Sequence, residues 1–223
     1  PATGTWSRTG SMAKEHEYHA ATLLPNGKVL VTGGISHDTV NDCEVYDPAT
    51  GTWSLVASMR ANHRSHAAVL LPSGRVLVVG GTGTGNDLPE LYDPATNSWS
   101  WAAPSGSIET RTATVLLDGK VLVMDSNSGR LYDSSANTWI PGSLSEWAHV
   151  RHTATRLLNG KVLVTAGLSG IAEAELYDPV SKTWNSTGLP GPNGYDGAAL
   201  LLPNGKVLFS GGTRGAAAQL YTP

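Results

Sequence analysis

A tryptophan that ends a repeated motif constrains the fold of this chain more than any other sequence feature. The most complete copy of the motif, Tyr-Asp-Pro-Ala-Thr-Gly-Thr-Trp, runs from Tyr46 to Trp53. The tryptophan recurs at intervals of 40 to 47 residues, at Trp6, Trp53, Trp99, Trp139 and Trp184. Repeats of this length with four strand-like runs are typical of β-propeller blades. The spacing from Trp184 through the C-terminus and on to Trp6 falls in the same range, which predicts a closed ring.

Each repeat reads as four short strands. The first is small and apolar, and a pair such as Asn26-Gly27 then supplies the positive φ of a tight hairpin turn. The second is a continuous apolar run such as Val29 to Val31, which suits a strand covered on both faces. The third carries the tyrosine and the fourth the tryptophan, and no useful helical periodicity is found. The sequence therefore predicts an all-β, five-bladed propeller with four antiparallel strands in each blade.

The predicted blades form a single domain over residues 1–223. Their approximate bounds are 7–53, 54–99, 100–139, 140–184 and 185–223 together with 1–6. Leu220 and Tyr221 read as a third strand whose fourth strand is Thr5 to Arg8, so we expect the N-terminal strand to pair with the C-terminal blade and close the ring. Closure would remove unpaired strand edges, which otherwise invite aggregation.

Charge and composition limit the classes of function. A net charge of −3 and a pI near 6.2 argue against nucleic acid or an anionic membrane as the main partner. No apolar run approaches the length of a membrane helix, about 18 residues. The single cysteine, Cys43, rules out an internal disulfide and is compatible with the cytosol or a bacterial exterior. We expect a monomer that is secreted or on a bacterial surface, and the start at Pro1 without Met suggests that the native protein is longer.

The double glycines and the spaced tyrosine and tryptophan resemble the kelch repeat along the whole chain. The double glycines are Gly33-Gly34, Gly80-Gly81 and Gly211-Gly212. The sequence Leu-Pro-Asn-Gly-Lys-Val-Leu-Val-x-Gly-Gly is most similar to bacterial kelch domains and to the propeller of galactose oxidases. The resemblance implies a propeller, usually of six or seven blades. Five blades are then either a small complete ring or a section of a larger one. The repeat spacing, which continues from Trp184 through the C-terminus to Trp6, favours the complete ring.

Strand order assigns the loops to two faces. The turn face carries the first-to-second and third-to-fourth turns, and the histidine face carries the other connections and all seven histidines. Five basic residues form a ring on the turn face: Lys28, Arg75, Lys120, Lys161 and Lys206. We interpret them as solvated charges that protect the hairpin ends, with binding of an acidic partner as the alternative.

Six of the histidines form three His-x-x-His pairs at equivalent positions of repeats one, two and four: His16 with His19, His63 with His66, and His149 with His152. The resemblance to bacterial kelch repeats implies that the second histidine packs between blades. Alternatively, His19, His66 and His152 share a divalent metal, because three imidazoles and a water are a known zinc arrangement. No acidic residue is evident at a matching position of all three repeats to orient these rings, which argues against the metal.

The first histidine of each pair has less structural reason to be there and is the stronger candidate for ligand contact. The candidate ligand-binding residues lie around it: His16, Tyr18, His63, Arg64, Arg111, Trp147, His149, Arg151, Tyr195 and Asp196. An aromatic side chain among polar neighbours at a propeller mouth can stack on a sugar ring or anchor a peptide. The alternative is an ordinary polar surface.

The resemblance to galactose oxidases implies a copper site with two histidines, two tyrosines and a cysteine cross-linked to one tyrosine. Cys43 instead opens a third strand, and no cysteine accompanies Tyr18 or Tyr195 on the histidine face. The cofactor pattern is therefore not met. The sequence predicts a module that binds a glycan, a peptide or a protein on the histidine face, rather than an enzyme. The alternative is a galactose-oxidase-like or other metal-dependent enzyme with histidines at the channel mouth.

Overall fold

The computed structural model describes residues 4–81, 88–106, 112–125, 128–145, 149, 151–165, 173–188, 197–212 and 218–223. These residues form nineteen strands in five antiparallel sheets, and none of them is helical. The predicted all-β fold with one sheet for each repeat is therefore confirmed. Within the described ranges, no helix is long and apolar enough to cross a membrane.

Each sheet is one blade, and its strands pair in sequence order. Blade 1 contains β1 (Ala20–Leu23), β2 (Val29–Ser36), β3 (Asp38–Asp47) and β4 (Thr52–Val56). Blade 2 contains β5 (Ala67–Leu70), β6 (Val76–Val79), β7 (Glu90–Asp93) and β8 (Ser98–Trp101). Blade 3 contains β9 (Thr112–Val115), β10 (Val121–Met124), β11 (Ser128–Asp133) and β12 (Thr138–Leu144). Blade 4 contains β13 (Thr153–Arg156), β14 (Val162–Thr165), β15 (Glu175–Asp178) and β16 (Thr183–Ser186). Blade 5 contains β17 (Gly197–Leu201), β18 (Val207–Gly211) and β19 (Gln219–Tyr221).

Successive blades touch through their first strands, from β1 to β17 in turn, and the arrangement is a five-bladed β-propeller.

The local sequence explains both hairpin turns of a blade. In blade 1, Gly27 has a φ of 81° and its N–H donates to the Leu24 carbonyl at 3.0 Å. This left-handed conformation favours glycine. In the second turn, the Asp47 carboxylate accepts a hydrogen bond from the N–H of Ala49 at 2.9 Å, which forms an Asx turn. The same bond recurs at Asp93, Asp133 and Asp178.

The core consists of apolar layers between neighbouring blades. Strand β6 is completely buried, because a blade covers each of its faces. Between blades 1 and 2, Leu30 and Cys43 pack in one cluster with Val78 and Tyr92. The continuous apolar run of the second strand therefore has the two covered faces that the sequence predicted.

The motif tryptophan ties each blade to the preceding one. Trp99 packs on Tyr92 of its own blade with ring centroids 5.0 Å apart, and its indole N–H donates to the carbonyl of Ala57, just after β4, at 2.8 Å. Trp139 and Trp184 make the same two kinds of contact in blades 3 and 4. The repeated residue thus orders both the strands within a blade and the blades along the chain.

The structure differs from the expected ring where the last blade would meet the first. The fifth sheet has three strands, and residues 4–10 lie outside any strand, so the pairing of Thr5 to Arg8 with the C-terminal blade is not found among the described residues. Gly10 instead lies on blade 1. The Trp53 indole N–H donates to the Gly10 carbonyl at 3.0 Å, and the Gly10 N–H donates to the Gly51 carbonyl at 2.9 Å.

Chain connectivity distinguishes this pairing from those within a blade. Within a blade, a short turn joins the third and fourth strands, so that their pairing is local. Pairing the N-terminal segment with β19 instead closes a loop of nearly the whole chain, and the entropic cost of closing a loop grows with its length. Trp6, the tryptophan of that segment, is fully exposed.

Candidate functional site

Three buried histidine–glutamate pairs lie beneath the histidine face. Each glutamate is on the third strand of its blade, two residues before the motif tyrosine, and each histidine is in the connection that enters the same blade. The pairs are His16 with Glu44 at 3.3 Å, His63 with Glu90 at 3.4 Å, and His149 with Glu175 at 2.5 Å, measured from Nε2 to a carboxylate oxygen. All three glutamates have no exposed surface. A buried carboxylate is stable only with charged or hydrogen-bonding partners, so these pairs are central to the loops around them.

The glutamates also hold the backbone of the entering connections. Glu44 accepts hydrogen bonds from the N–H groups of Ala13 and Lys14, both at 2.9 Å. Glu90 accepts them from Arg60 at 2.8 Å and Ala61 at 2.9 Å. Hydrogen bonds to an ionised acceptor are stronger than neutral ones. Each carboxylate therefore fixes a loop of the histidine face to the third strand.

The other nitrogen of the first histidine faces a backbone carbonyl of the double glycine. The Nδ1 of His16 lies 2.7 Å from the Gly33 carbonyl oxygen, and that of His63 lies 3.2 Å from the Gly80 carbonyl oxygen. A carbonyl only accepts, so Nδ1 carries a proton. The Nε2 atom of each ring then faces a buried carboxylate oxygen. At His63 the 3.4 Å separation from Glu90 is in ion-pair range, although no hydrogen bond is aligned there.

Close approach of the histidine-bearing loops explains the double glycine. Gly81 has a φ of 84°, and a Cβ placed on it would lie 2.4 Å from the Arg64 carbonyl oxygen and 2.9 Å from the His66 Cβ. Gly34 is in blade 1, and its N–H donates to the His63 carbonyl at 2.8 Å. A side chain at these glycines would push away the histidine-bearing loop.

The second histidine of each pair joins neighbouring blades in two cases. His66 Nε2 lies 2.8 Å from the hydroxyl of Thr32 in blade 1, and His152 Nε2 lies 2.6 Å from the hydroxyl of Thr112 in blade 3. Burial lowers the pKa of His66 to about 3 and that of His152 to about 4, because the charged form loses its hydration. Both rings are therefore neutral at pH 7. His19 differs, since it is exposed and its Nδ1 contacts the His16 carbonyl.

The structure does not bring the predicted metal ligands together. His19, His66 and His152 are all described, yet no group of three or more His, Cys, Asp or Glu side chains that could hold a metal ion occurs within the described segments. The contacts of His66 and His152 instead are those expected of histidines that pack between blades, the first of the two interpretations.

The predicted ligand-binding residues fall into three sets. His16, His63 and His149 are buried, which corrects the expectation that the first histidine has the smaller structural role. Tyr18, Arg64 and Arg151 are exposed on the histidine face. The last set lies outside the described residues: Arg111, Trp147, Tyr195 and Asp196.

The glutamate partners were missed by the sequence analysis, although the sequence contains a signal for them. Glu44, Glu90 and Glu175 occur only in the repeats that have a first histidine. The third and fifth repeats have Arg130 and Gln219 at that position. In blade 3 the Arg130 guanidinium donates to the Ser105 carbonyl of the entering connection. In blades 1 to 4 this position therefore faces the entering connection. The detectable pattern in the sequence is that the histidine and the glutamate are replaced together.

The two remaining candidate features have structural partners. Burial raises the pKa of the Cys43 thiol to about 12, and its sulfur packs between blades 1 and 2 with no tyrosine cross-link. On the turn face, three of the five basic residues are paired with carboxylates: Lys28 with Asp47 at 3.0 Å, Lys120 with Asp118 at 2.7 Å, and Lys161 with Asp178 at 3.2 Å. These ion pairs reduce the positive charge that the turn face offers to a partner.

Comparison with known proteins relates the repeats to one family. The model of the Kelch motif matches residues 18–60. Two galactose oxidase sequences from Gibberella zeae are each 34% identical over 76 residues, which is 31% of this chain and 11% of those proteins. The fold is similar to that of a novel fungal alcohol oxidase of the AA5 family in complex with copper, with a TM-score of 0.58 and 16% identity over 92% of this chain and 62% of that one. The matched regions therefore cover less than two thirds of each of these relatives.

Proposed function

We propose that this five-bladed β-propeller, in which residues 18–60 match the Kelch motif, is a binding module rather than an enzyme, with a glycan or a peptide as its ligand on the histidine face. The exposed side chains of the His-x-x-His loops would contact the ligand. The buried histidine–glutamate pairs would hold these loops in position.

One observation carries this proposal. The residue before the second histidine has a left-handed backbone in all three loops, with φ of 55° at Tyr18, 53° at Ser65 and 61° at Arg151. The N–H of Ser65 donates to the Tyr18 carbonyl at 2.9 Å, which links the loops of blades 1 and 2. Non-glycine residues adopt this conformation only where the surrounding structure imposes it, and such residues cluster at functional sites.

The three loops combine one backbone shape with different side chains. Tyr18 is 64% exposed, and Arg151 is exposed at the equivalent position of blade 4. A fixed backbone reduces the entropic cost of ordering a binding surface, which favours affinity. Varied side chains on a shared scaffold are the arrangement expected of a recognition surface.

The chemistry of these side chains indicates the kind of ligand. A tyrosine ring stacks on a sugar face or on an apolar side chain, and the guanidinium groups of Arg64 and Arg151 favour a carboxylate. We therefore favour an acidic glycan or an acidic peptide. A secreted or cell-surface location, as expected from the sequence, would expose the module to such ligands.

Glycan and peptide arrays followed by titration of the best ligand test this proposal. Tyr18→Ala and Arg151→Ala should each raise the Kd at least about tenfold, since a tenfold change is about 1.4 kcal/mol and a contact at the centre of an interface contributes about 2 kcal/mol or more. Lys120→Ala and Lys161→Ala on the turn face are the matched controls and should leave the Kd unchanged. The reverse ranking would move the ligand to the turn face, and competition by free sugars separates a glycan ligand from a protein partner.

The similarity to oxidases supports a second candidate, a metal-dependent alcohol oxidase. Tyr18 and His19 are adjacent and exposed on the histidine face, and both are residue types that ligate copper. The burial of Cys43 and its raised pKa count against a tyrosine–cysteine cross-link. Peroxide release from primary alcohols in the presence of copper, lost in Tyr18→Phe or His19→Ala, would overturn the binding-module proposal.

A further inference from the structure

Three of the four Asn-Gly dipeptides of the chain lie in the first hairpin turn of a blade. They are Asn26-Gly27 in blade 1, Asn159-Gly160 in blade 4 and Asn204-Gly205 in blade 5, whereas Asn193-Gly194 lies outside the described residues. The three asparagines in the turns are exposed. Asparagine is a thermolabile residue, and a following glycine offers no side chain to hinder its deamidation. These turns are therefore candidate sites of spontaneous modification on the turn face.

Deamidation requires one particular approach of two neighbouring groups. The backbone nitrogen of the glycine attacks the side-chain carbonyl carbon of the asparagine, and the new N–C bond closes a five-membered succinimide ring. The bond from that carbon to the side-chain nitrogen breaks, and the proton of the attacking nitrogen leaves with it as ammonia. One water molecule then opens the ring to aspartate or isoaspartate, so the reaction needs no oxidant or other reactant.

The turn holds both reacting groups in hydrogen bonds. In blade 1, the Gly27 N–H donates to the Leu24 carbonyl at 3.0 Å, and this is the proton that the attack must remove. The Asn26 side-chain oxygen accepts a hydrogen bond from the Lys28 N–H at 3.1 Å. The same two bonds measure 3.0 and 3.1 Å in blade 4, and 2.9 and 3.1 Å in blade 5. Both bonds constrain the groups that would have to react.

The backbone conformation of the turn also opposes ring closure. The hydrogen bond from Gly27 to Leu24 makes Asn26 the third residue of a β-turn, and Asn26 has a negative φ. This combination is that of a type I turn, in which ψ of the third residue is about 0°. At this ψ the glycine nitrogen eclipses the backbone nitrogen of the asparagine, whereas the succinimide ring needs it beside Cβ. The turn must therefore open before the ring can close.

Blade 3 shows how the turn accommodates the aspartate product. Asp118 occupies the position of the asparagine there, and its carboxylate accepts from the Lys120 N–H at 3.0 Å and binds the Lys120 Nζ at 2.7 Å. The Gly119 N–H still donates to the Leu116 carbonyl, at 3.1 Å. An aspartate in the other turns therefore keeps both backbone bonds. Isoaspartate would instead add a main-chain carbon atom and break the register of the hairpin.

We propose that Asn26, Asn159 and Asn204 are deamidation sites that the fold protects, and that their turns tolerate the aspartate product. A folded turn reacts only while it is open, so its rate is the rate of the open turn multiplied by the fraction of open molecules. The inference goes beyond the proposed function, because these turns lie on the face opposite to the histidine face.

Deamidation rates in the folded and the unfolded protein test the protection. The wild type is incubated at pH 8.5 in buffer and in guanidinium chloride, and peptide mass spectrometry with fragmentation follows each asparagine separately. We expect conversion at the three sites to be at least about tenfold slower in buffer, because opening must break two hydrogen bonds and tenfold is about 1.4 kcal/mol. Equal rates in the two samples would overturn the proposal.

A transplanted dipeptide separates the turn from its sequence surroundings. Ser73→Asn creates an Asn-Gly pair in the equivalent turn of blade 2, where the Gly74 N–H donates to the Leu71 carbonyl at 2.9 Å. The new site should convert as slowly as Asn26 in buffer and as fast as Asn26 in guanidinium chloride. Rapid conversion of this site in the folded protein would show that the turn does not protect it.

The stability of an aspartate variant tests the second half of the proposal. Asn26→Asp should keep the wild-type circular dichroism spectrum and lower the Tm by less than about 2 °C, a shift that corresponds to a small change in stability. Gly27→Ala is the matched control in the same turn and should lower the Tm further, because Gly27 has a φ of 81°. A loss in Asn26→Asp as large as that in Gly27→Ala would show that the turn does not tolerate the product.

Discussion

The two histidines of a His-x-x-His pair are three residues apart, yet their surroundings differ in chemistry. His63 lies between a backbone carbonyl and the carboxylate of Glu90, so both of its nitrogens face acceptors. His66 is buried against apolar groups and the hydroxyl of Thr32, and burial lowers its pKa to about 3. The same residue type therefore contacts a buried carboxylate at the first position and is a neutral packing group at the second. Partners on other strands, rather than the local sequence, determine which of the two roles a histidine has.

The largest effect should follow from removing the acid of one pair. Glu90→Ala leaves His63 and the N–H groups of Arg60 and Ala61 without their acceptor inside the protein. Breaking a buried ion pair in this way costs about 3 to 5 kcal/mol. We expect urea unfolding at pH 7.5 to show a loss of this size in the free energy of unfolding.

Two further variants sharpen this test. Glu90→Gln keeps the size and one acceptor oxygen but loses the charge, so it should be intermediate. Glu15→Ala removes an exposed carboxylate of the preceding connection and should change stability by less than about 0.5 kcal/mol. An equal effect of Glu90→Ala and Glu15→Ala would show that the pair does not hold the loop.

The second histidine should determine part of the acid sensitivity. The folded-state pKa of His66, about 3, lies below the unfolded value of about 6.5. Between these values the unfolded chain binds more protons, so the stabilisation is complete above pH 6.5 and is lost as the pH falls toward 3. The loss is about 1.4 kcal/mol for each pH unit, or about 2 kcal/mol between pH 6.5 and 5.0.

His66→Asn keeps a polar partner for Thr32 but removes the titrating group. The variant should therefore lose about 2 kcal/mol less than the wild type between pH 6.5 and 5.0, measured by urea unfolding at both pH values. The exposed equivalent, His19→Asn, is the matched control and should follow the wild-type pH dependence. Parallel curves for all three proteins would contradict the neutral, buried state of His66.

Blade 3 offers a smaller test, because it lacks a first histidine. Arg130 there donates to the Ser105 carbonyl, where blades 1 and 2 have a glutamate that accepts from the loop. Arg130→Ala should cost about 1.5 kcal/mol, the value of a single hydrogen bond from a charged donor. A loss as large as that of Glu90→Ala would mean that the buried ion pair adds nothing to loop anchoring.

Zinc should have the smallest effect. If the second histidines are packing groups, a tenfold molar excess of zinc at pH 7.5 should leave the Tm unchanged, and His66→Ala should lower the Tm equally with and without the metal. A rise in Tm with zinc that disappears in His66→Ala would instead support a metal site at His19, His66 and His152.

The sequence by itself determined the architecture, because the features that define a blade are local. The tyrosine and tryptophan of one motif pair across a short turn, Gly27 needs its positive φ within one hairpin, and the apolar run of β6 requires two covered faces. Only the tertiary structure decided the site. Glu90 meets His63 from 27 residues further along the chain, and His66 meets Thr32 from the neighbouring blade. Trp6 has the same motif as Trp53, yet Trp6 is fully exposed, whereas Trp53 packs on Tyr46. The periodicity of the sequence shows which residues repeat. The burial and protonation of their side chains depend on which groups from distant parts of the chain surround them.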